Sequence, residues 1–483
     1  LNMKAGKKAL DGCDDKTAYS YLGTALSLLP KDHWESHYDL SLRIYFLMAS
    51  AANSTCRDDE AELFLQKIFE KARCLDDQLP SYLLLNEIVL SQGNPKAAYD
   101  TCASVLSQLG ETIPTSVTPE AASSMLADTL TMYEEVYNDE WIKKKLEDEK
   151  IRTIAKLYNS CVIACFLCKS RQILIYHMCR AVQLSLRNGT CQYAPLALIH
   201  FAGYAMEDEQ PASICRIAKN AMSMLKRFDV ADQYPLFYLN YYGRVAWRFE
   251  PLQVGIDNFR RAFEAALSFG QVDIAFYSSF HVIKNSIFSG ASLRSILKEI
   301  DYYLHLLKTY KIETARTFLL IFRETVSLLI DNGQATSIEA TPFVGDLNDP
   351  GNKLRESAFF HKAVQCFWVG HTERCRYYSE KCMPILGPLA QLTTYMSKFY
   401  HALNSLDLIR KKNSTKGKEV ARVAIPAIRD AAASSDWNFT NKLRLLEAEQ
   451  QSLRQTHRKA IPLYEAAIES AKKSGFIHEQ GLA

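Results

Sequence analysis

The chain has 483 residues, of which 48% are hydrophobic and 23% are charged, and its formal net charge at pH 7 is +3. This composition is typical of a folded protein and excludes a largely disordered chain. The small charge imbalance favours neither nucleic acid nor a membrane surface as a partner, and no apolar run reaches the roughly 20 residues that a bilayer span needs.

The thirteen cysteines lie mostly among apolar residues of predicted helices and do not form a compact disulfide framework. We therefore expect packed, reduced thiols and a cytoplasmic protein. The chain starts Leu1-Asn2-Met3-Lys4, without a starting Met and without the pattern of a secretory signal. Its last residues, GFIHEQGLA, predict the opening of a further helix, so we expect a fragment of a longer protein.

Apolar residues recur at helical spacing from the N-terminus onward. Residues 17–29 predict a helix that Pro30 stops, and residues 34–52 supply its partner. The next pair opens at Asp59. Gly93-Asn94-Pro95 then predicts a turn that places Pro95 in the first turn of the following helix, which ends at Gly110.

A long helical region is predicted from Glu120 to about Ser170. It contains Glu134–Lys150, EEVYNDEWIKKKLEDEK, in which charges of both signs recur at i,i+4 spacing. This pattern favours a solvent-exposed helix, with partner docking as the alternative.

From Arg171 to Ile330 the helical pattern continues, with helices beginning near Pro211, Pro251 and Ala291, each 40 residues after the last. The period exceeds the roughly 34 residues of a standard tetratricopeptide repeat and fits looser two-helix units of about 40 residues. Toward the C-terminus, units open around His371, Lys418 and Thr456 with less regular spacing.

Two segments interrupt the pattern. Gly333–Lys353 lacks a helical period and predicts a loop or boundary, which divides the chain into arrays over 1–332 and 354–483. Arg410–Lys418, RKKNSTKGK, predicts a short basic loop. Trp437–Ala483 predicts two antiparallel helices, the second ended by Gly475. Since an alternating strand pattern is almost absent, we predict an all-α solenoid of stacked antiparallel helix pairs, a tetratricopeptide-like superhelix.

Cys161, Cys165 and Cys168 have C-x3-C-x2-C spacing, which on a loop could hold an iron–sulfur cluster. Here they fall on one face of a predicted apolar helix, which favours core packing. A zinc site that adds His177 is conceivable but lacks a paired C-x2-C knuckle. Neither a phosphate-binding loop nor a nucleophile elbow occurs, so we assign no catalytic, cofactor-binding or metal-binding residue and expect no enzyme activity in this region.

Aromatic residues are densest in the stretch YPLFYLNYYGRVAW. In stacked helices such side chains chiefly wedge between elements, but exposed ones are good interface anchors. The candidate partner-binding residues are Tyr234, Tyr238, Tyr241, Tyr242 and Trp247.

Several segments together resemble the helical-repeat region of large multidomain signalling ATPases. They include TAYSYLGTALSLL, HWESHYDLSLRIYFLMASAA, ALIHFAGYAM, NYYGRVAWRFEPLQVGIDNFRRAFEAALSFG and WNFTNKLRLLEAEQQSLRQTHRKAIPLYEAAIESAKKSG. The family comprises predicted signal-transduction ATPases that are often fused to protein kinase, GAF and histidine kinase modules. The segment SFGQVDIAFYS departs from the family's usual Gly-Asp turn.

The resemblance implies a non-catalytic, regulatory region that binds a protein partner or the adjacent ATPase or kinase modules of its own chain. The family's catalytic residues lie in those other modules, so none is carried over here. The alternatives are a free-standing adaptor scaffold and a metal protein that uses the Cys161–Cys168 helix.

Overall fold

The computed structural model describes residues 1–12, 14–55, 57–205, 211–310, 313–331, 346–349, 352, 354–386, 391–412, 415–454 and 457–483. Within these ranges the regular structure is helical, and extended pairing is limited to an isolated bridge between Lys145 and Thr190. The chain divides into two compact units, Leu1–Ala197 and Leu198–Ala483.

The first unit is built from short amphipathic helices that pack in pairs. The pairs are α1 with α2, α4 with α5, and α6 with α7. Because short turns join helices that lie side by side, the members of each pair are antiparallel. The helices are α1 Asn2–Asp11, α2 Asp15–Ser27, α3 His33–Ser36, α4 Tyr38–Ser54, α5 Asp58–Lys71, α6 Leu75–Ser91, α7 Pro95–Gln108, α8 Pro119–Val136, α9 Asp139–Lys143, α10 Glu149–Cys168, α11 Arg171–Asn188 and α12 Ala194–Ala205, which contains the boundary between the units.

Packing in the first unit departs from chain order after α7. Helix α10 packs against both α7 and α11, and α8 packs on α11. The turn before α7 is the predicted one, since Gly93 has a φ of 76° and the Oδ1 of Asn94 accepts from the backbone N–H of Ala97 at 3.1 Å. Pro95 is the first helical residue, which confirms its predicted role.

The long helical region predicted from Glu120 to about Ser170 is confirmed, and it consists of three helices, α8, α9 and α10. The Oδ1 of Asn138 accepts from the backbone N–H of Trp141 at 2.7 Å, and the Oδ1 of Asp148 accepts from that of Lys150 at 2.8 Å. Each of these caps starts a new helix. The single exposed helix predicted over Glu134–Lys150 is therefore wrong, because the segment spans the ends of three helices and Trp141 within it is buried.

The second unit continues the paired arrangement. Its pairs are α15 with α16, α17 with α18, α19 with α20, α21 with α22, and α23 with α24. The helices are α13 Pro211–Phe228, α14 Tyr234–Asn240, α15 Leu252–Ser268, α16 Val272–Phe288, α17 Leu293–Tyr310, α18 Glu313–Ile330, α19 Arg355–Trp368, α20 Thr372–Leu386, α21 Leu392–Lys412, α22 Thr415–Ser434, α23 Asp436–Leu453, α24 His457–Ser474 and α25 Ile477–Leu482.

The roughly 40-residue spacing is confirmed, since α13, α15 and α17 begin within two residues of the predicted starts. Gly270, with a φ of 69°, makes the turn into α16 inside the segment that departs from the family pattern. At the C-terminus, Gly475 follows α24 with a φ of 77° and leads into α25, so the predicted helix pair and the further helix are confirmed.

The basic loop predicted over Arg410–Lys418 is wrong for most of its length. Residues 410–412 belong to α21 and residues 415–418 to α22, because both helices extend into the polar segment, and residues 413–414 lie outside the described part. Most of Gly333–Lys353 also lies outside it, so a boundary there stays a prediction. The flanking α18 and α19 pack directly, with Ile321 and Ala358 in one buried cluster.

Candidate functional site

The five aromatic residues predicted to bind a partner lie in the segment that ends at the start of α15. Tyr234 and Tyr238 belong to α14, Tyr241 and Tyr242 to a π-helical turn, and Trp247 to a 3-10 turn. The half-buried rings of Tyr234, Tyr238 and Tyr242 form an edge-to-face row with centroid distances of 5.7 Å and 5.6 Å. This tyrosine row is the accessible part of the set, and its binding to a partner stays a prediction.

Tyr241 and Trp247 instead pack inside the second unit. The hydroxyl of Tyr241 donates to Glu250 at 2.7 Å, and the Nε1–H of Trp247 donates to the carbonyl oxygen of Arg244 at 2.8 Å. The Trp247 ring contacts Phe439 with a centroid distance of 5.8 Å. These two aromatic residues wedge between elements, which is the packing role that stacked helices generally give them.

The three cysteines considered for a cluster lie on α10 in the first unit. Cys161 and Cys165 are fully buried, and burial raises the pKa of Cys165, which favours the protonated thiol. The Nε2 of His177 lies 3.2 Å from the hydroxyl of Tyr99, and burial lowers the pKa of His177 to about 4. These are features of core residues, and no group of three metal-ligand side chains is found within the described ranges.

Sequence reasoning missed a polar interior in the second unit. Among the described residues, every buried Lys, Arg or Glu lies in this unit, whereas the buried polar residues of the first unit are uncharged or histidine. Burying a charge without a partner is costly, so each such group requires an explanation. The group consists of Arg248, Lys284, Lys362, Lys442 and Glu479, four cations and one anion.

Lys442 on α23 and Glu479 on α25 form a close buried ion pair. The Nζ of Lys442 lies 2.9 Å from the Oε2 of Glu479, donates to the carbonyl oxygen of Asn438 at 2.8 Å, and stands 3.9 Å from the ring centroid of Phe476. The Nδ2 of Asn441 donates to the same carboxylate oxygen. Burial lowers the pKa of Lys442, and the Glu479 carboxylate opposes that shift. The pair holds the short C-terminal helix against α23.

Asn438 joins α23 to the start of α15, far back along the chain. Its Nδ2 donates to the carbonyl oxygens of Trp247 at 2.7 Å and Glu250 at 2.8 Å. Its Oδ1 accepts from the backbone N–H of Leu252 at 3.1 Å, and the neighbouring Ser435 hydroxyl donates to Trp247 at 2.7 Å. The array of the second unit thus closes at this contact, and Ser435 and Asn438 are buried there.

Lys284 on α16 is a buried charge of a different kind. Its side chain is only 8% exposed, and its Nζ stands 5.6 Å from the ring centroid of Phe280 without a hydrogen bond or ion pair among the described residues. Burial lowers its pKa to about 8, while Glu356 on α19 acts in the opposite direction. The sequence gives a faint signal here, a single lysine on an otherwise apolar helix face in FHVIKNSIF.

Comparisons with known proteins add little to this geometry. No protein-family model matches the sequence, and no curated protein matches it. Among solved structures, the chain is similar to "Crystal Structure of the Yeast Tom70", with 12% sequence identity over 99% of this chain and 94% of that chain. The TM-score is 0.24, too low to support an argument.

The class of protein therefore follows from the described helices themselves. They form an all-α protein of stacked antiparallel helix pairs, as the sequence predicts. In the described part of the chain, no helix is both long enough and apolar enough to cross a bilayer.

Proposed function

We propose that this chain is a non-catalytic protein-interaction and regulatory region of a larger signal-transduction ATPase or kinase. The observation that carries the proposal is the array of helix pairs in both units, because such arrays present long surfaces built from many side chains. The link to an ATPase or kinase rests on the sequence resemblance alone. The partners would be other proteins or the adjacent modules of the same chain.

The tyrosine row supplies the candidate contact surface. Tyrosine buries a large apolar area at low conformational cost and can also donate a hydrogen bond, which makes it a frequent interface anchor. Tyr234, Tyr238 and Tyr242 are half-buried, so their positions are fixed by packing while their edges remain available. We infer that the row contacts the partner.

A reducing, cytoplasmic location fits the thiols of the described residues. All eleven cysteines in those ranges are free, and Cys102, Cys161 and Cys179 among them are buried in helix packing. Burial raises the pKa of Cys179 to about 12, so this thiol stays protonated and unreactive at neutral pH.

The test begins by sequencing the transcript on both sides of Leu1 and Ala483. Any ATPase or kinase module found there is purified, and its binding to 1–483 is measured by calorimetry. We expect Tyr238→Ala to weaken binding by about tenfold, as for an interface anchor. The matched control Tyr377→Ala, at an exposed tyrosine on α20, should not change it.

Nucleotide turnover by purified 1–483 should be undetectable, and measurable turnover would contradict the non-catalytic assignment. A module that fails to bind would refute the regulatory proposal and favour a free adaptor scaffold.

A further inference from the structure

The hydroxyl groups of the tyrosine row are not used inside the described part of the chain. The rings of Tyr234, Tyr238 and Tyr242 pack edge to face at centroid distances of 5.7 Å and 5.6 Å. None of the three hydroxyls makes a hydrogen bond to a described residue. Since the three side chains are only half-buried, these hydroxyls are free to donate to a second molecule.

Elsewhere in the chain, a carboxylate is the usual acceptor of a tyrosine hydroxyl. The hydroxyl of Tyr158 donates to Glu111 at 2.6 Å. The hydroxyl of Tyr464 donates to Glu449, also at 2.6 Å. The same bond joins four further pairs, Tyr19 to Glu60, Tyr38 to Asp77, Tyr241 to Glu250 and Tyr303 to Glu299. Tyr176 is an exception, because its hydroxyl donates to a backbone carbonyl oxygen.

In several of these pairs an arginine contacts the same carboxylate. The Nη2 of Arg180 lies 2.8 Å from the Oε2 of Glu111. The Nε of Arg260 lies 2.8 Å from the Oε1 of Glu299. The same holds for Arg57 with Glu60 and for Arg410 with Glu449. Hydrogen bonds to an ionised carboxylate are shorter and stronger than those between neutral groups, so this tyrosine–carboxylate–arginine contact is an effective link between helices.

The tyrosine row has a neighbouring arginine, but no described carboxylate accepts from its hydroxyls. Helix α15 packs against the row, with the rings of Tyr242 and Phe259 at a centroid distance of 6.1 Å. Arg261 on the same helix is exposed and makes no ion pair with a described residue. Burial raises the pKa of Tyr238, and the positive charge of Arg261 opposes that shift. The acceptor that completes the contact elsewhere can therefore come from a partner.

The spacing of the row matches a helical partner. Successive rings are 5.7 Å and 5.6 Å apart. Residues at every fourth position of a helix are separated by about one 5.4 Å turn, so they can meet successive rings. Residues on one face of a strand repeat at about 6.8 Å, and those on one face of a polyproline II helix at about 9.3 Å. Either of these would drift out of register along the row.

We propose that the tyrosine row binds an acidic helix of the partner. Carboxylates at every fourth position of that helix accept from the hydroxyls of Tyr234, Tyr238 and Tyr242, and Arg261 contacts one of them. An apolar or basic helix would leave the hydroxyls without acceptors. The inference rests on the proposed function, which assigns partner binding to this row, and it adds the chemistry of the partner.

The test uses the full chain 1–483 and a synthetic helix. The probe is a fluorescently labelled, alanine-based peptide of about 20 residues, long enough to be helical, with glutamate at every fourth position. One control peptide has glutamine in place of each glutamate, and a second has the same composition with its glutamates spread around the helix. In fluorescence anisotropy we expect the first peptide to bind at least about tenfold more tightly than either control.

A phenylalanine substitution separates the role of the hydroxyl from that of the ring. Tyr238→Phe keeps the ring packing and removes the donor, so we expect the variant to fold and to bind the glutamate peptide about tenfold more weakly. Arg261→Met should weaken binding about two- to fivefold, as for an exposed ion pair. The matched control Tyr377→Phe, at an exposed tyrosine on α20, should leave binding unchanged.

A measurement on the unaltered chain guards against effects of the substitutions on folding. Nitration of Tyr238 by tetranitromethane, followed by mass spectrometry, should slow when the glutamate peptide is bound. Nitration of the exposed Tyr377 should proceed at the same rate with and without the peptide.

The outcomes separate this inference from the proposed function. Failure of the glutamate peptide to bind, equal binding by the glutamine peptide, or an unchanged affinity in Tyr238→Phe would overturn the inference. A module whose binding is weakened by Tyr238→Ala but not by Tyr238→Phe would also overturn it, while the proposed function would stand. Peptide binding through Tyr238 without binding by any ATPase or kinase module would support the inference and refute the regulatory proposal.

Discussion

Replacing Asn438 by alanine should open the closure of the second unit. Its side chain makes three hydrogen bonds to the start of α15 and the turn before it, through Trp247, Glu250 and Leu252. Each bond contributes about 1 kcal/mol net, so losing all three costs about 3 kcal/mol. Repacking does not offset this cost, because the backbone groups that lose their partner stay buried. We therefore expect the free energy of unfolding of this unit to fall by about 2–4 kcal/mol.

Two measurements on the full chain check this value. Urea denaturation gives the change in unfolding free energy. Hydrogen exchange of the Leu252 backbone N–H, which donates to the Oδ1 of Asn438, should accelerate by about 100-fold. Asn258→Ala on α15 is the matched control, because among the described residues the side-chain amide of Asn258 donates only to the carbonyl oxygen of Val254 in its own helix. A change below about 0.5 kcal/mol for Asn438→Ala, the size expected of a surface substitution, would refute the reasoning.

Three further predictions concern the same unit. Glu479→Gln should destabilise it by about 3–5 kcal/mol because the buried Lys442 ammonium loses its counter-charge, and the double variant with Lys442→Met should recover most of that loss in urea denaturation. Gly290→Ala should destabilise the unit more than Gly270→Ala. Both glycines have a positive φ, 73° and 69°, so both variants strain the backbone. A Cβ at residue 290 would also lie 2.1 Å from the Nδ1 of His478, whereas a Cβ at residue 270 would meet no other atom. Burial lowers the pKa of His361 to about 3. Between about pH 6.5 and 3, therefore, the His361 imidazole is protonated only in the unfolded chain. The contribution of His361 to the free energy of unfolding should fall by about 2 kcal/mol as the pH drops from 7 to 5. His361→Gln should reduce that pH dependence.

Each of these three predictions has an outcome that would contradict it. Full stability of Glu479→Gln would mean that the ammonium finds another partner or loses its proton. Equal losses for the two glycine variants would leave backbone strain as the whole effect. An unchanged pH dependence in His361→Gln would place the titration on other buried histidines, such as His200.

Local sequence was sufficient for most helices and for several of their ends. Pro95 and Gly475 mark a helix start and a helix end as predicted, because proline and glycine act through the backbone of their own turn. Charge pattern alone misled at Glu134–Lys150. There the caps Asn138 and Asp148 and the buried Trp141 outweighed the i,i+4 pairs, each of which contributes only about 0.2–0.5 kcal/mol.

The sequence by itself determined an all-α chain of paired helices, since the 3.6-residue period is a local property that any window of the chain reveals. Only the tertiary structure decided which charges are buried and which are paired. Lys442 meets a carboxylate on α25, whereas Lys284 meets none, and both lie on similar amphipathic helices. The difference depends on how helices distant in the chain come together, as when Asn438 binds Leu252 across 186 residues, and no local pattern records that contact.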